Sequence, residues 1–440
     1  MSYDLIIENG ILLTADNRQS IHPKGLLCIR DGVIVYAGPR DQAPEPLNAK
    51  ERVDARGGII MPGLVNAHTH ITMSLFRGLA DDLPLEEWLT RHMFPAEAAH
   101  VNPETARTGA LLSCAEMLLS GTTCFCDGYF CEDAVAEAVA KTGMRAILGH
   151  GIIDYPAPGV PDPKDNVKAA TDYARKWMGK SGLITPSLFC HSAYTCSPAS
   201  IRQAKKEADN LEILFQIHAA ETQFEHSQSM KEHGLSPIQY LDSLGVLDRN
   251  TLVVHGVWVD SQDIEIIAKR GSAVSVTTHS EMKLASGVAP IPAYLNAGVR
   301  VGLGTDGPAS KNNHDMFREM SLTAKIHKAL SLDPTELDAS TAIALASRMA
   351  AEAIGLGAIT GSLEPGKKAD LIILDTNAPN MTPLYHPESA VVYAASTDNV
   401  RQVFVEGKCL VRDGRLTSMD MDKILAQAKI LEQSIGGKGA

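Results

Sequence analysis

The chain has 440 residues, 45% of them hydrophobic and 21% charged, and a formal net charge of −12. This is the composition of a globular protein with a large core. The negative charge argues against nucleic acid or an anionic membrane as partner, because both would be repelled. No apolar stretch approaches the ~20 residues that span a bilayer. Met1-Ser2-Tyr3-Asp4-Leu5 lacks the basic and apolar regions of a signal peptide. Eight cysteines are too sparse for a disulfide scaffold, so a cytoplasmic location is expected. Cys124, Cys126 and Cys131 lack the usual Cys-x2-Cys pairing of a thiolate metal site and read as buried strand residues.

In chain order, the first ~60 residues carry the alternation and tight turns of antiparallel strands. Asp31-Gly32, between two apolar runs, is a two-residue hairpin signal. From 59 onward, short apolar runs alternate with helical patterns. Strands are predicted at 59–66, 122–126, 145–149, 184–189, 213–217, 251–254, 273–276 and 299–304. Helices are predicted at 103–120, 133–142, 198–208, 262–270 and 290–297. Strand–helix alternation predicts a parallel sheet, and eight strands close a (β/α)8 barrel. The C-terminal part returns to strands at 370–374, 400–405 and 409–412, then a helix at 420–433 and a glycine-rich tail at 436–440. Neither terminal half has enough strands to bury its own face. The expected fold class is therefore α/β: a (β/α)8 TIM-type barrel, residues 58–364, with a small β-sandwich domain built from both chain ends, 1–57 and 365–418. Residues 419–440 form a C-terminal helix and tail.

The most informative run is Ile59-Ile60-Met61-Pro62-Gly63-Leu64-Val65-Asn66-Ala67-His68-Thr69-His70. Residues i and i+2 of a strand share a face, so His68 and His70 can aim two imidazoles at one point. Alone, His-x-His reads as two unrelated histidines. The other strand ends change that balance. Strand four is followed by Cys190-His191, strand five by His218 and then Glu221, strand six by His255-Gly256, and strand eight by Thr305-Asp306-Gly307. Strand C-termini form the active-site rim of such barrels, so these side chains should converge.

With these motifs the chain resembles the amidohydrolase superfamily, and within it the deaminases acting on 5′-methylthioadenosine and S-adenosylhomocysteine. The likeness is carried by Pro62–His70 as quoted, by Phe76-Arg77-Gly78-Leu79-Ala80-Asp81-Asp82-Leu83 and by Glu87-Trp88-Leu89. It continues in His218-Ala219-Ala220-Glu221-Thr222, Lys283-Leu284-Ala285-Ser286-Gly287 and Gly304-Thr305-Asp306-Gly307. The resemblance implies a metal held by His68, His70, His218 and Asp306, a catalytic pattern with an open position. One divalent ion is expected, because Leu188-Phe189-Cys190-His191 lacks the lysine that bridges two metals. Zinc is favoured, and the ligand types leave Fe(II) open.

For hydrolytic deamination, the resemblance implies Asp306 as base, Glu221 as proton donor to ring N1, and His255 orienting the attacking water. Glu97 would accept ribose hydroxyls and His191 would bond the purine or ribose. Trp88 is expected to pack the loop after strand one. The partners expected are a purine nucleoside and water, with the oligomeric state, a homo-oligomer included, left open.

Two departures stand out. Where the family reads His-x-Pro-x-Ser-Asn, this chain has Val276-Thr277-Thr278-His279-Ser280-Glu281. The arginines that would receive a homocysteine carboxylate are missing from 152–159. Substrates without that carboxylate are therefore expected to be preferred. The rival readings are deamination or dechlorination of another ring (guanine, pterin or triazine) and a non-catalytic binding protein on the same fold.

Overall fold

The computed structural model describes residues 2–436. Its N-terminal strands are β1 (Tyr3–Leu13), β2 (Ile21–Arg30), β3 (Val33–Pro39), β4 (Ala49–Asp54) and β5 (Ile59–Pro62). The β2–β3 hairpin closes where expected: Asp31 and Gly32 both take positive φ, 52° and 71°, between the paired Arg30 and Val33. The expectation of purely antiparallel pairing is corrected, because β1 also runs parallel to β4 and β5. β5 then pairs antiparallel with β14 (Leu371–Leu374). Beyond it lie β15 (Val400–Val405), β16 (Lys408–Arg412) and β17 (Arg415–Leu416). Both chain ends thus share one nine-stranded mixed sheet. Leu5, Ile7, Leu27, Ile60, Ile373 and Phe404 fill one of its cores.

The run expected as a single strand over 59–66 is two strands in two sheets. The break falls at Gly63, where a Cβ would sit 2.1 Å from Thr123 Oγ1. Its N–H donates to the Asp370 carbonyl, while Leu64 N–H donates to Gly121 across in the barrel. The boundary between the two sheets therefore lies at Gly63 rather than at 57/58.

The barrel strands are β6 (Leu64–Thr69), β7 (Thr122–Tyr129), β8 (Arg145–Ile152), β9 (Ile184–Ser192), β10 (Phe215–Ala219), β11 (Thr251–His255), β12 (Ala273–Val276) and β13 (Arg300–Leu303). They pair in chain order, all parallel. The ring is tied shut by Thr305 and Asp306 N–H groups, which both donate to the His68 carbonyl at 3.0 Å. β7, β8 and β9 run three residues past their expected ends, so Cys190-His191 lies within β9 instead of following it. The polar and glycine residues there read as strand terminators, yet the barrel carries their backbone pairing onward.

Helices wrap the outside. Pro103–Leu119 starts at Asn102, whose side chain accepts from the Glu104 and Thr105 amides. At the barrel's N-terminal end Arg145 is nearly buried, its guanidinium on Asp370 (2.8 Å) and Glu406 (3.1 Å) of the mixed sheet. The final helix is Met421–Gly436 and takes in the first residue of the tail expected over 436–440; residues 437–440 lie outside the described residues. Among the described residues no helix is long and apolar enough to cross a membrane.

Candidate metal and active site

At the C-terminal rim, β6 ends in His68 and His70 and β10 carries His218. Among the described residues, these three form the one cluster whose ligand atoms all lie within 4.8 Å of one another. His68 Nε2 is 3.1 Å from His218 Nε2. Asp306 Oδ1 lies 3.3 Å from His70 Nε2 and 3.8 Å from His68 Nε2. All four residues expected as metal ligands thus meet at one point.

The donor set fits a divalent cation. His70 Nδ1 sits 2.6 Å from the Gly128 carbonyl. A carbonyl only accepts, so Nδ1 carries the proton and Nε2 keeps its lone pair for the cluster. Burial and the neighbouring imidazoles hold His68 and His218 well below the usual histidine range, so both are neutral. Burial would raise Asp306, but cationic His255 and the Ser280 hydroxyl are among the groups that outweigh it and hold the carboxyl well below its ordinary value. Three neutral imidazoles and one ionised carboxylate are a donor set that suits a divalent cation.

Asp306 is built to stay put. Its backbone is left-handed (φ 58°). Oδ2 accepts from Ser280 (2.6 Å) and Ser310 (2.7 Å) hydroxyls, and Oδ1 from the Gly307 amide (2.7 Å). Phe189 fills the inward position of β9, with its ring centroid 5.1–6.1 Å from the three imidazoles. No lysine stands at that position.

The acid–base residues expected from sequence flank the cluster. Glu221 Oε2 is 3.7 Å from His255 Nε2. The Glu221 amide donates to Glu225 Oε2 at 2.8 Å, which anchors the turn. Burial raises Glu221, with His255 opposing. Burial lowers His255, but Glu221, Glu281 and Asp306 outweigh it and push it up to about 9.

His70, His218, Asp306, Glu221 and His255 open onto one cavity. Glu97, from the helix Phe94–His100, and His191 stand on its wall. Glu97 accepts from Tyr129 Oη at 2.5 Å, and burial pushes its carboxyl up to about 7 against that bond. Burial lowers His191 to about 4, and its Nδ1 is 2.9 Å from Thr195 Oγ1. Trp88 is buried, its Nε1 donating to the Ala80 carbonyl, and packs the loop as expected.

Tyr129, Glu225 and the Ser280–Ser310 pair were not legible as site residues in the sequence. Tyr129 lies three residues past the end expected for β7, within the strand as observed. Glu225 is one turn beyond Glu221 on the helix Gln223–His233, a spacing equally suited to an exposed face.

Residues 59–410 match the model of the amidohydrolase family. The chain belongs to that family. Its likeness to named relatives runs along almost the whole chain. It is 39% identical to a 5-methylthioadenosine/S-adenosylhomocysteine deaminase of Syntrophobacter fumaroxidans, over 98% of each chain. It is 40% identical to a 5′-deoxyadenosine deaminase of Methanopyrus kandleri, over 96% of each. The solved structure of a zinc-bound adenosine deaminase from Xanthomonas campestris superposes with a TM-score of 0.96 at 35% identity, covering 99% of both chains.

Proposed function

We propose that the protein is a metal-dependent aminohydrolase that converts an adenosine-type nucleoside to its inosine analogue and ammonia. The observation that carries this is one cavity lined by His70, His218 and Asp306 of the cluster, by the Glu221–His255 pair and by Glu97 and His191. The named relatives, all deaminases of adenosine-type nucleosides, support the same reading.

The four ligands would hold one divalent ion, and zinc in the Xanthomonas structure supports zinc here. When bound, that ion supplies a Lewis acid and makes water acidic enough to attack at neutral pH. The remaining work belongs to the protein. Glu97 accepts the ribose hydroxyls and His191 bonds the nucleoside, fixing the ring over the cluster. Glu221, whose carboxyl burial favours in its protonated form, gives its proton to N1 and leaves C6 electrophilic. Water adds to C6 while Asp306 takes one of its protons, with His255 orienting the attack. Asp306 passes that proton to the amino group, which leaves as ammonia. The remaining hydroxyl proton returns to Glu221 as the C6 carbonyl forms.

Among adenosine derivatives, 5′-methylthioadenosine, adenosine and 5′-deoxyadenosine are expected to outrank S-adenosylhomocysteine. Arg145 is committed to Asp370 and Glu406 at the far end of the barrel. Lys283, near the mouth, is paired with Asp81. A homocysteine carboxylate therefore lacks a bidentate partner. Comparing kcat/KM for the four nucleosides by the loss of adenine absorbance tests both activity and order. A clear win for S-adenosylhomocysteine would refute the order, and no turnover of any would refute the activity.

None of the eight cysteines is paired, which supports the expected cytoplasmic location. The units proposed are the composite sheet up to residue 62 with 365–418, the barrel over 63–364, and the C-terminal helix from 419.

A further inference from the structure

Glu281 stands at the position where the sequence departs from the expected Asn, and it is completely buried. It lies on the short helix Thr278–Lys283 that follows β12. Its Oε1 accepts from the Thr277 amide at 2.8 Å and from the Thr277 hydroxyl at 3.2 Å. The same oxygen is 3.5 Å from His255 Nδ1, and Thr277 Oγ1 is 3.1 Å from that nitrogen. Among the described residues Oε2 has no hydrogen-bond partner.

A neutral amide could receive the Thr277 amide equally well. A buried carboxylate with an idle oxygen costs stability unless a cationic or N–H partner repays it. His255 is that partner. The hydroxyl of Thr277 has one proton, and Glu281 takes it. Toward His255 the hydroxyl can then only accept, so the imidazole must carry a proton on Nδ1. That turns Nε2 toward Glu221 and the cavity.

We propose that Glu281, working with Thr277, is a positioning residue that fixes the proton of His255 on Nδ1 and aims Nε2 at Glu221 and the reacting water. The proposal rests on the functional reading above, but its first test does not. In full-length protein labelled with 15N-histidine and held above pH 9, where the ring is neutral, the His255 signal, assigned by its loss in His255→Gln, should show a protonated Nδ1 and a pyridine-like Nε2. A pyridine-like Nδ1 would overturn the proposal whether or not the protein deaminates anything.

The second test compares metal-loaded wild type with Glu281→Gln, which keeps the size and the acceptor for the Thr277 amide but loses the charge. The kcat for the best nucleoside should fall about 10–100-fold, with KM within about twofold and metal content and Tm unchanged. Unchanged kcat would overturn the proposal, as would a fall that merely tracks lost metal or lost Tm. Thr277→Val, which leaves the carboxylate in place, should lower kcat in the same direction, and unaltered turnover there would likewise contradict it. A wild type inactive on every nucleoside would instead sink the deaminase reading.

Discussion

Glu97 and Tyr129 form a buried acceptor–donor pair whose strength depends on pH. The carboxyl, pushed up to about 7 by burial, is ionised above that value and protonated below it. Protonation removes an acceptor from the ribose hydroxyls, so KM should rise as pH falls through about 7. His191, held near 4, stays neutral over that interval and does not contribute. Tyr129→Phe removes the bond that stabilises the ionised carboxylate. It should raise KM about tenfold at neutral pH, as losing a hydrogen bond to a charged group does, and move the KM limb to higher pH. A pH-independent KM would remove Glu97 from the ribose contact. Glu221→Gln, by contrast, should keep its metal and lose ~10²–10⁴ in kcat, the usual yield of general acid–base catalysis. Near-normal turnover would take Glu221 out of the chemistry.

At the scale of elements, the site depends on close approach between β6 and the chain leaving β13. A Cβ on Gly304 would meet His68 N and O at 2.7 and 2.8 Å. Both atoms are backbone and cannot swing aside. Gly304→Ala should therefore displace His68, costing about 1–3 kcal/mol from overpacking, with lower Tm and weaker metal retention. Full retention of both would mean that the barrel closes more loosely than these distances require. The same elements show what a sequence discloses. His68, His70, His218 and Asp306 stood out with the other strand-end residues because they follow apolar strand-length runs, and the family resemblance singled these four out as ligands. The strand ends expected at 126 and 189 leave Tyr129 and His191 outside β7 and β9, whereas the barrel carries its ladder on through Tyr129 and Cys190. Gly63 was read through, because an apolar run spans it and only the approach of Thr123 and Asp370 reveals the break. Glu281 was noticed as a departure, but its partner His255 lies in another element and no local pattern joins them.

Across the whole molecule, the mixed sheet and the barrel are locked by a charge almost withdrawn from water. Arg145, 3% exposed, meets Asp370, 1% exposed, and the more exposed Glu406. Breaking such a pair strands a buried charge and costs about 3–5 kcal/mol. Arg145→Leu should destabilise by that amount in denaturant unfolding. Arg145→Leu with Asp370→Leu should recover most of the loss, since apolar pairs replace buried ion pairs at little cost. Equal destabilisation of the single and double variants would mean that packing, not the stranded carboxylate, dominates. Because this lock lies at the barrel end opposite the rim, kcat of the folded fraction should be unaffected.

If His68, His70, His218 and Asp306 grip one cation inside a nucleoside-deaminating cavity, bound metal and activity must rise together. The most direct test is a titration of chelated, metal-free protein with zinc, following bound metal and 5′-methylthioadenosine deamination in the same samples. Activity should be absent without metal and rise in proportion to occupancy, saturating at one ion per chain, with both signals lost together in His68→Ala. Full deamination by the metal-free protein, or saturation with two ions, would contradict it.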